Sequence, residues 1–183
     1  MTALGWILAF VAVQRLGELV LAECNTRRLK TLGAREVGAA HYPLFVVLHA
    51  SWLASLAVFV PWHTQPNWWL IGLFALLQLA RVWIVATLGR YWTTRIITLD
   101  TAPVVTGGPF HFVRHPNYLV VCCEIAVLPL AFGAWWIALV WSALNAALLW
   151  HRIRVEDAAL SARRARPAPP CGERTVPAPA PPP

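Results

Sequence analysis

Residues 118–150 read YLVVCCEIAVLPLAFGAWWIALVWSALNAALLW, a long and almost uncharged apolar run. About 20 residues span the ~30 Å hydrocarbon core of a bilayer, so an apolar run of this length is too long for one crossing. Pro129 and Gly133 interrupt its middle, and proline removes a helix hydrogen bond and clashes with the preceding turn. We therefore predict a helical hairpin of two crossings, joined near Pro129 to Trp135. One long kinked helix is the alternative, because membranes tolerate proline kinks.

Three further apolar runs precede this hairpin. They cover Thr2 to about Ala22, His41 to Trp62, and Trp68 to Leu88, and each is long enough for one crossing. The composition agrees, because 58% of the residues are hydrophobic and 13% are charged, whereas about a quarter are charged in soluble domains. The sequence therefore predicts an all-α integral membrane protein of about five transmembrane helices.

The distribution of basic residues indicates the orientation. They follow the first, third and fifth predicted helices, whereas the loops near His63 and Gly133 contain no lysine or arginine. With five crossings these charges all face one side, which the positive-inside rule makes the cytoplasm, with the N-terminus outside. A four-helix count loses this agreement. The residues are Arg27, Arg28, Lys30, Arg35, Arg90, Arg95, Arg114, Arg152, Arg154, Arg163, Arg164 and Arg166.

This pattern predicts a multi-pass protein of the cytoplasmic membrane, in contact with membrane lipids. The formal net charge of +7 does not indicate nucleic-acid binding, because the charges cluster in short loops between apolar runs. No metal site is predicted, since the four cysteines lack CxxC spacing. His41 and His49 are interpreted as hydrogen-bonding groups between helices, because no third ligand accompanies them.

We divide the chain into a membrane domain, residues 1–162, and a C-terminal tail, residues 163–183. The tail is rich in proline and alanine and cannot bury enough apolar surface to fold, so it is predicted to be disordered. The sequence leaves the oligomeric state open.

Charged side chains within the predicted helices are expensive in a membrane and are usually functional. Arg15 and Glu18 lie three residues apart, so they can form a structural pair or a functional one. Arg81, with Gln78 one turn earlier, either reaches the interface or faces a substrate cavity. Glu124 is a candidate for the lining of such a cavity.

Two segments carry the candidate chemistry, the long loop from Gly89 to Asn117 and the helix end RIRVED, Arg152 to Asp157. A loop of this length in a nearly all-helical chain is often functional. The Gly107–Gly108 pair is not a dinucleotide fingerprint, because GxGxxG and its strand–helix context are absent. Arg152 and Glu156 share a helix face, which by itself is also the pattern of a solvated ion pair.

The order of motifs in these segments is specific. It runs Gly108-Pro109-Phe110, then Arg114-His115-Pro116-x-Tyr118, and after the hairpin Arg152-x-x-x-Glu156-Asp157. It resembles the isoprenylcysteine carboxyl methyltransferase family, membrane enzymes that use S-adenosylmethionine, over residues 90–160. Asp157 stands where the family has a second Glu, and a downstream Gly-x-x-Tyr-x-x-Tyr is missing. The N-terminal half contains Arg15-Leu-x-Glu18-Leu, RRLKTLGARE and HYPLFVVLH. It looks more like a bacterial branch of this family, some members of which O-methylate alkylpyrones or alkylresorcinols.

The resemblance implies a cytoplasmic site for S-adenosylmethionine. The acids of the motifs supply negative charge for its cations, the arginine and histidine bind its carboxylate, and aromatic side chains and loop backbone hold its adenine. Arg152 and Glu156 are the catalytic candidates, since Arg152 can orient a carboxylate or lower the pKa of a phenol or enol. The implied cofactor-binding residues are Val104, Val105, Phe110, Arg114, His115, Pro116, Asn117, Tyr118, Glu156 and Asp157.

We therefore expect an S-adenosylmethionine-dependent O-methyltransferase that acts on a lipophilic small molecule or a prenylcysteine. Two alternatives belong to other classes. A small transport or assembly protein is disfavoured because the chain has no two similar halves with paired broken helices. A sterol-reductase-like membrane oxidoreductase is disfavoured because the chain is short for that class.

Overall fold

The computed structural model of the chain describes residues 2–39, 42–99 and 105–164. Within these ranges the chain forms five α-helices and two short strands. In chain order the elements are α1 (Ala3–Thr31), β1 (Arg35–Val37), α2 (Tyr42–Phe59), α3 (Trp68–Leu88), β2 (Ile96–Thr98), α4 (Pro116–Ala131) and α5 (Trp135–Arg164), with single 3-10 turns at Gly89–Tyr91 and Gly108–His111. The tail predicted to be disordered lies almost wholly outside the described residues.

The predicted helical hairpin is present and the single kinked helix is wrong, whereas the crossing of a membrane by both arms stays a prediction. α4 ends at Ala131 and α5 begins at Trp135, so three residues make the turn. Gly133 adopts φ +70°, a left-handed conformation that favours glycine. The amides of Gly133 and Ala134 donate to the carbonyls of Leu130 and Pro129, each at 3.0 Å. These bonds satisfy the carbonyl groups at the end of α4 and close it tightly.

The all-α prediction is incomplete, because β1 and β2 form a two-stranded antiparallel sheet. Its register pairs Arg35 with Thr98 and Val37 with Ile96. The strands belong to the loops after α1 and after α3, and β-branched side chains favour the extended conformation. The pairing places these two basic loops at the same end of the bundle, as the predicted topology requires.

α1 is longer than predicted, since it continues past Ala22 to Thr31. The extension is polar, and Arg27 donates to Glu23 one turn earlier at 2.9 Å, a spacing that supports helix. The chain first leaves the helical conformation near Gly33, which has φ +89°. α3 spans the predicted residues, and Asn67 caps it by accepting from the Trp69 amide at 3.0 Å.

α1, α2 and α3 are each long and apolar enough to span a bilayer. α4 is apolar but has 16 residues, roughly 24 Å of helix, and α5 has 30 residues. Much of the helical surface is apolar and faces outwards; Val58, Trp69 and Leu79 are more than 60% exposed, as expected of lipid-facing side chains. Crossings by α4 and α5, and the orientation, stay predictions.

Four charged side chains form a cluster inside the bundle, which we call the charge cluster: Arg15 and Glu18 of α1, Arg81 of α3 and Glu124 of α4. Arg15 donates to Glu18 at 3.0 Å, which confirms the predicted pair, and to Glu124 at 2.6 Å. Arg81 donates through Nε to Glu124 at 2.9 Å and through Nη1 to Glu18 at 3.3 Å, and Nη2 also bonds Glu124.

The charge cluster lies between two apolar cores. The larger core contains Leu4, Trp52 and Ile125, and the smaller one contains Ile84 and Trp92. Two arginines and two glutamates balance, so three helices are joined by charges that would be costly if unpaired in a membrane.

We expect Glu124→Gln to lower the free energy of unfolding by about 3–5 kcal/mol, because two buried arginines would then share only Glu18. The measurement is thermal unfolding of the detergent-solubilised protein. Glu23→Gln is the control, since Glu23 pairs with Arg27 on the surface and its loss should barely move the midpoint. Equal shifts in the two variants would contradict a structural role for the charge cluster.

Candidate active site

A polar cleft of about 230 Å³ opens at the end of the bundle that carries the two-stranded sheet. The end of α3, the β2 segment, the start of α4 and the last turns of α5 form its walls. It is lined by Leu88, Tyr91, Trp92, Thr93, Arg95, Ile96, Ile97, Thr98, Phe110, His115, Pro116, Asn117, Tyr118, Arg152 and Glu156.

The Tyr118 hydroxyl connects two charged side chains of this cleft, Arg152 and Glu156. It donates to the Glu156 carboxylate in a short hydrogen bond and accepts from Arg152 Nε at 2.9 Å. Arg152 also donates through Nη2 to the Thr94 carbonyl at 2.8 Å and is 8% exposed. Among the described residues, Arg152 and Glu156 therefore meet through Tyr118 and do not form the solvated ion pair that their spacing alone allows.

The Arg-His-Pro sequence explains why His115 faces the cleft. Pro116 is the first residue of α4, where its missing N–H costs nothing. The residue before a proline is kept out of the α-region, and His115 has φ −128° and ψ 66°. Its ring stacks on Tyr118 with centroids 5.1 Å apart. Its Nε2 is buried and has no hydrogen-bond partner among the described residues.

Gly108 brings the loop against α3. It adopts φ +59°, and a Cβ there would lie 2.9 Å from Thr87 Oγ1 and 3.5 Å from Trp83 Nε1. A larger residue would meet both backbone strain and a clash. The glycine therefore lets the 3-10 turn that carries Phe110 approach the helix that forms the opposite wall.

The structure brings together seven of the residues predicted for the site: Phe110, His115, Pro116, Asn117, Tyr118, Arg152 and Glu156. Three others do not line the cleft. Val105 is half-buried elsewhere, and Arg114 is exposed and lies 3.7 Å from Asp157 in a surface ion pair. Consecutive helical residues point about 100° apart, so Asp157 turns away when Glu156 faces the cleft. Val104 lies outside the described residues.

Sequence reasoning did not single out the β2 wall of the cleft. Arg95 lines it, donates to Glu36 at 2.9 Å and stacks on Tyr42 at 4.6 Å. Hydrogen bonds from Lys30 and Arg95 hold the pKa of the Glu36 carboxyl below its usual range. Glu36 belongs to β1, so the contact between Arg95 and Glu36 becomes apparent only from the pairing of β1 with β2. In the sequence, the aromatic residues near Arg95 were the one possible sign that this segment lines a binding site.

A second, larger cavity of about 350 Å³ adjoins the cleft, and we call it the apolar cavity. Most of its lining is aliphatic or aromatic and comes from α1 and α2, including Leu16, Leu19, Phe45 and Leu53. The two spaces have five lining residues in common, which we call the shared wall: Trp92, Thr93, Asn117, Tyr118 and Arg152.

The polar cleft has the groups that S-adenosylmethionine requires. Glu156 offers a carboxylate for its positive charges, and Arg95 offers a cation for its carboxylate. Phe110 offers aromatic surface for its adenine. The unpartnered Nε2 of His115 is a further polar atom that a ligand can satisfy.

Fold and site together define a membrane-embedded protein with a polar cleft at one end of a helical bundle and an adjoining apolar cavity. Residues 70–162 match the isoprenylcysteine carboxyl methyltransferase (ICMT) family. The chain is also 38% identical over 160 residues to "Uncharacterized protein YpbQ" of Bacillus subtilis (strain 168), over 85% of this chain and 95% of that protein. The chain therefore belongs to the ICMT family, a family of methyltransferases. No solved structure matches it significantly.

We expect Gly108→Ala to destabilise the protein by roughly 1–3 kcal/mol, because it combines left-handed backbone with a contact on Thr87. Gly107→Ala is the matched control, since Gly107 has φ −85° and open space around its Cβ position. Thermal unfolding of both variants checks this expectation, which fails if Gly107→Ala is the more harmful change.

Proposed function

We propose that this protein transfers a methyl group from S-adenosylmethionine to an oxygen of a lipophilic acceptor, at the cytoplasmic face of the membrane. S-adenosylmethionine supplies an electrophilic methyl group on a sulfonium centre. The acceptor oxygen is a carboxylate or the hydroxyl of a phenol or enol, carried by a prenylcysteine, an alkylpyrone or an alkylresorcinol. Membership of the ICMT family supports the reaction class.

The single observation that carries the proposal is the shared wall. Methyl transfer is an in-line displacement, so donor and acceptor must approach from opposite sides of one point. A polar cleft and an apolar cavity that meet at five common residues provide two such sides. We assign the polar cleft to the cofactor and the apolar cavity to the acceptor.

Arg152 is the residue of the shared wall best suited to the acceptor oxygen. Its Nε and Nη2 atoms are fixed by Tyr118 and the Thr94 carbonyl, so its guanidinium is held in one orientation. A fixed cation stabilises negative charge on an oxygen and lowers the pKa of a phenol or enol. It would therefore favour the nucleophilic form of the acceptor.

Glu156 acts from the cofactor side. The Tyr118 hydroxyl bonds both the Glu156 carboxylate and Arg152. The two charged side chains are therefore fixed relative to each other without forming a direct ion pair. Its remaining lone pairs face the cleft, where a cationic ligand is the matching partner. Trp92, 3% exposed, closes the boundary between the two spaces and helps to exclude water.

We expect Glu156→Gln to weaken binding of S-adenosylmethionine by about tenfold or more, since it removes a charge and retains the shape. Asp157→Asn is the matched control, because it makes the same change one residue further on but outside the cleft. Calorimetry on the protein in detergent measures both affinities. If Asp157→Asn weakens binding as much as Glu156→Gln, the cleft is not the cofactor site.

The acceptor is tested with a series of prenylcysteines, alkylpyrones and alkylresorcinols of graded chain length, assayed with methyl-labelled cofactor. Each buried methylene contributes ~0.8 kcal/mol, so removing two carbons should lower kcat/KM by roughly tenfold until the chain fills the apolar cavity. Turnover that does not depend on chain length, or a preference for a short soluble acceptor, would contradict the assignment of that cavity.

A further inference from the structure

Several polar side chains, Glu18 among them, interrupt the apolar cavity on the side formed by α1 and α2. Arg15 and His49 both line it, among aliphatic neighbours that include Leu16, Leu19 and Leu53. Neither residue belongs to the shared wall. A tail-binding surface has no use for such groups, because a hydrocarbon chain cannot satisfy them.

His49 presents a hydrogen-bond acceptor to this cavity. Its Nδ1 lies 2.8 Å from the Phe45 carbonyl oxygen. A carbonyl oxygen only accepts, so Nδ1 carries the hydrogen, and in the neutral ring Nε2 then carries a lone pair. Among the described residues, no hydrogen bond reaches that Nε2. The ring therefore lacks a donor on its Nε2 side.

Arg15, in contrast, has a hydrogen-bond donor without an acceptor. Its Nη1 and Nη2 atoms donate to Glu18 and Glu124, as part of the charge cluster. Its Nε is buried and has no hydrogen-bond partner in the described part of the chain. A buried N–H without an acceptor is unfavourable, so an oxygen atom is the partner that this group lacks.

We propose that Arg15 and His49 form a second polar subsite, which binds a hydroxyl group of the acceptor other than the oxygen that is methylated. A hydroxyl is the group that accepts from Arg15 Nε and donates to His49 Nε2 at the same time. The ligand group is neutral, because the two arginines and two glutamates of the charge cluster already balance. This inference rests on the proposed function, since it assigns the apolar cavity to the acceptor.

The subsite lies deeper in the membrane than the point of methyl transfer. The Arg152 guanidinium sits over the Phe45 ring at 5.2 Å, and His49 follows Phe45 by one helical turn. One turn rises about 5.4 Å. The subsite and the Arg152 guanidinium are therefore offset by about one turn along α2, which favours an acceptor with two separate oxygens over a single oxygen on a plain chain.

The test compares a 3-alkylphenol with the 5-alkylresorcinol of the same chain length. Binding is measured by calorimetry on the cofactor-free protein, and methyl transfer is measured with the cofactor. Wild type should prefer the resorcinol by about tenfold in both readouts, beyond the statistical advantage of two equivalent hydroxyls. The preference, expressed as a ratio, should fall to that statistical value in His49→Phe and recover in part in His49→Gln.

Arg15→Lys provides a second route to the same result, because lysine keeps the charge opposite Glu18 and Glu124 but has no Nε–H. It should also reduce the ratio. His63→Phe is the matched control, since His63 is exposed in the loop between α2 and α3 and should leave the ratio unchanged. Thermal unfolding of every variant separates loss of the subsite from loss of the fold.

Two outcomes would overturn the subsite. One is a wild-type ratio no greater than the statistical value, and the other is a ratio that survives in a folded His49→Phe or Arg15→Lys protein. If both compounds bind and are methylated equally, the subsite fails and the proposed function stands. If neither is methylated but the resorcinol binds more tightly in a way that depends on His49, the subsite stands and this acceptor class for the methyl transfer fails.

Discussion

The charge cluster connects α1, α3 and α4 through buried ion pairs. Helices in a membrane have little hydrophobic reason to associate, because lipid tails are as apolar as leucine. Arg15, Glu18, Arg81 and Glu124 provide a specific reason, since the observed arrangement of α1, α3 and α4 pairs all four charges. The charge cluster bonds α1 to α3 and α4. The space between α1 and α2 is open and forms much of the apolar cavity.

Shared hydrogen-bond partners also join side chains at the end of the bundle that carries the polar cleft. Tyr118 joins Arg152 and Glu156, and Arg81 reaches from the charge cluster to the Asn117 side chain at 3.4 Å. The first turn of α4 is therefore bonded on one side to the buried charges and on the other to the end of α5. These hydrogen bonds restrict the polar side chains of the site to their observed rotamers, so the site is preorganised.

The sequence predicted the hairpin well, because Pro129 and Gly133 are strong local signals, and it predicted α3 well, because Trp68 to Leu88 is one uninterrupted apolar run. The strand pairing was missed, because its two strands of three residues are far apart in the chain and neither is recognisable alone. The site was predicted in part: Tyr118, Arg152 and Glu156 meet, but Arg95 joins them only through the sheet. The position of a residue in a motif does not show whether its side chain faces the cleft, so Arg114 and Asp157 could not be excluded from the sequence. The roles of the residues that do line the cleft stay predictions.

The division of labour between the two halves of the chain has an evolutionary consequence. The match to the ICMT family covers residues 70–162, which build the polar cleft and the shared wall. Much of the apolar cavity, by contrast, is lined by α1 and α2, which lie outside the matched range. Under the proposed function, selection can therefore alter which acceptor enters by changing the first two helices, while the half assigned to the cofactor stays the same. Related proteins with this division can then acquire new acceptors through substitutions in α1 and α2, without any change in the residues proposed for methyl transfer.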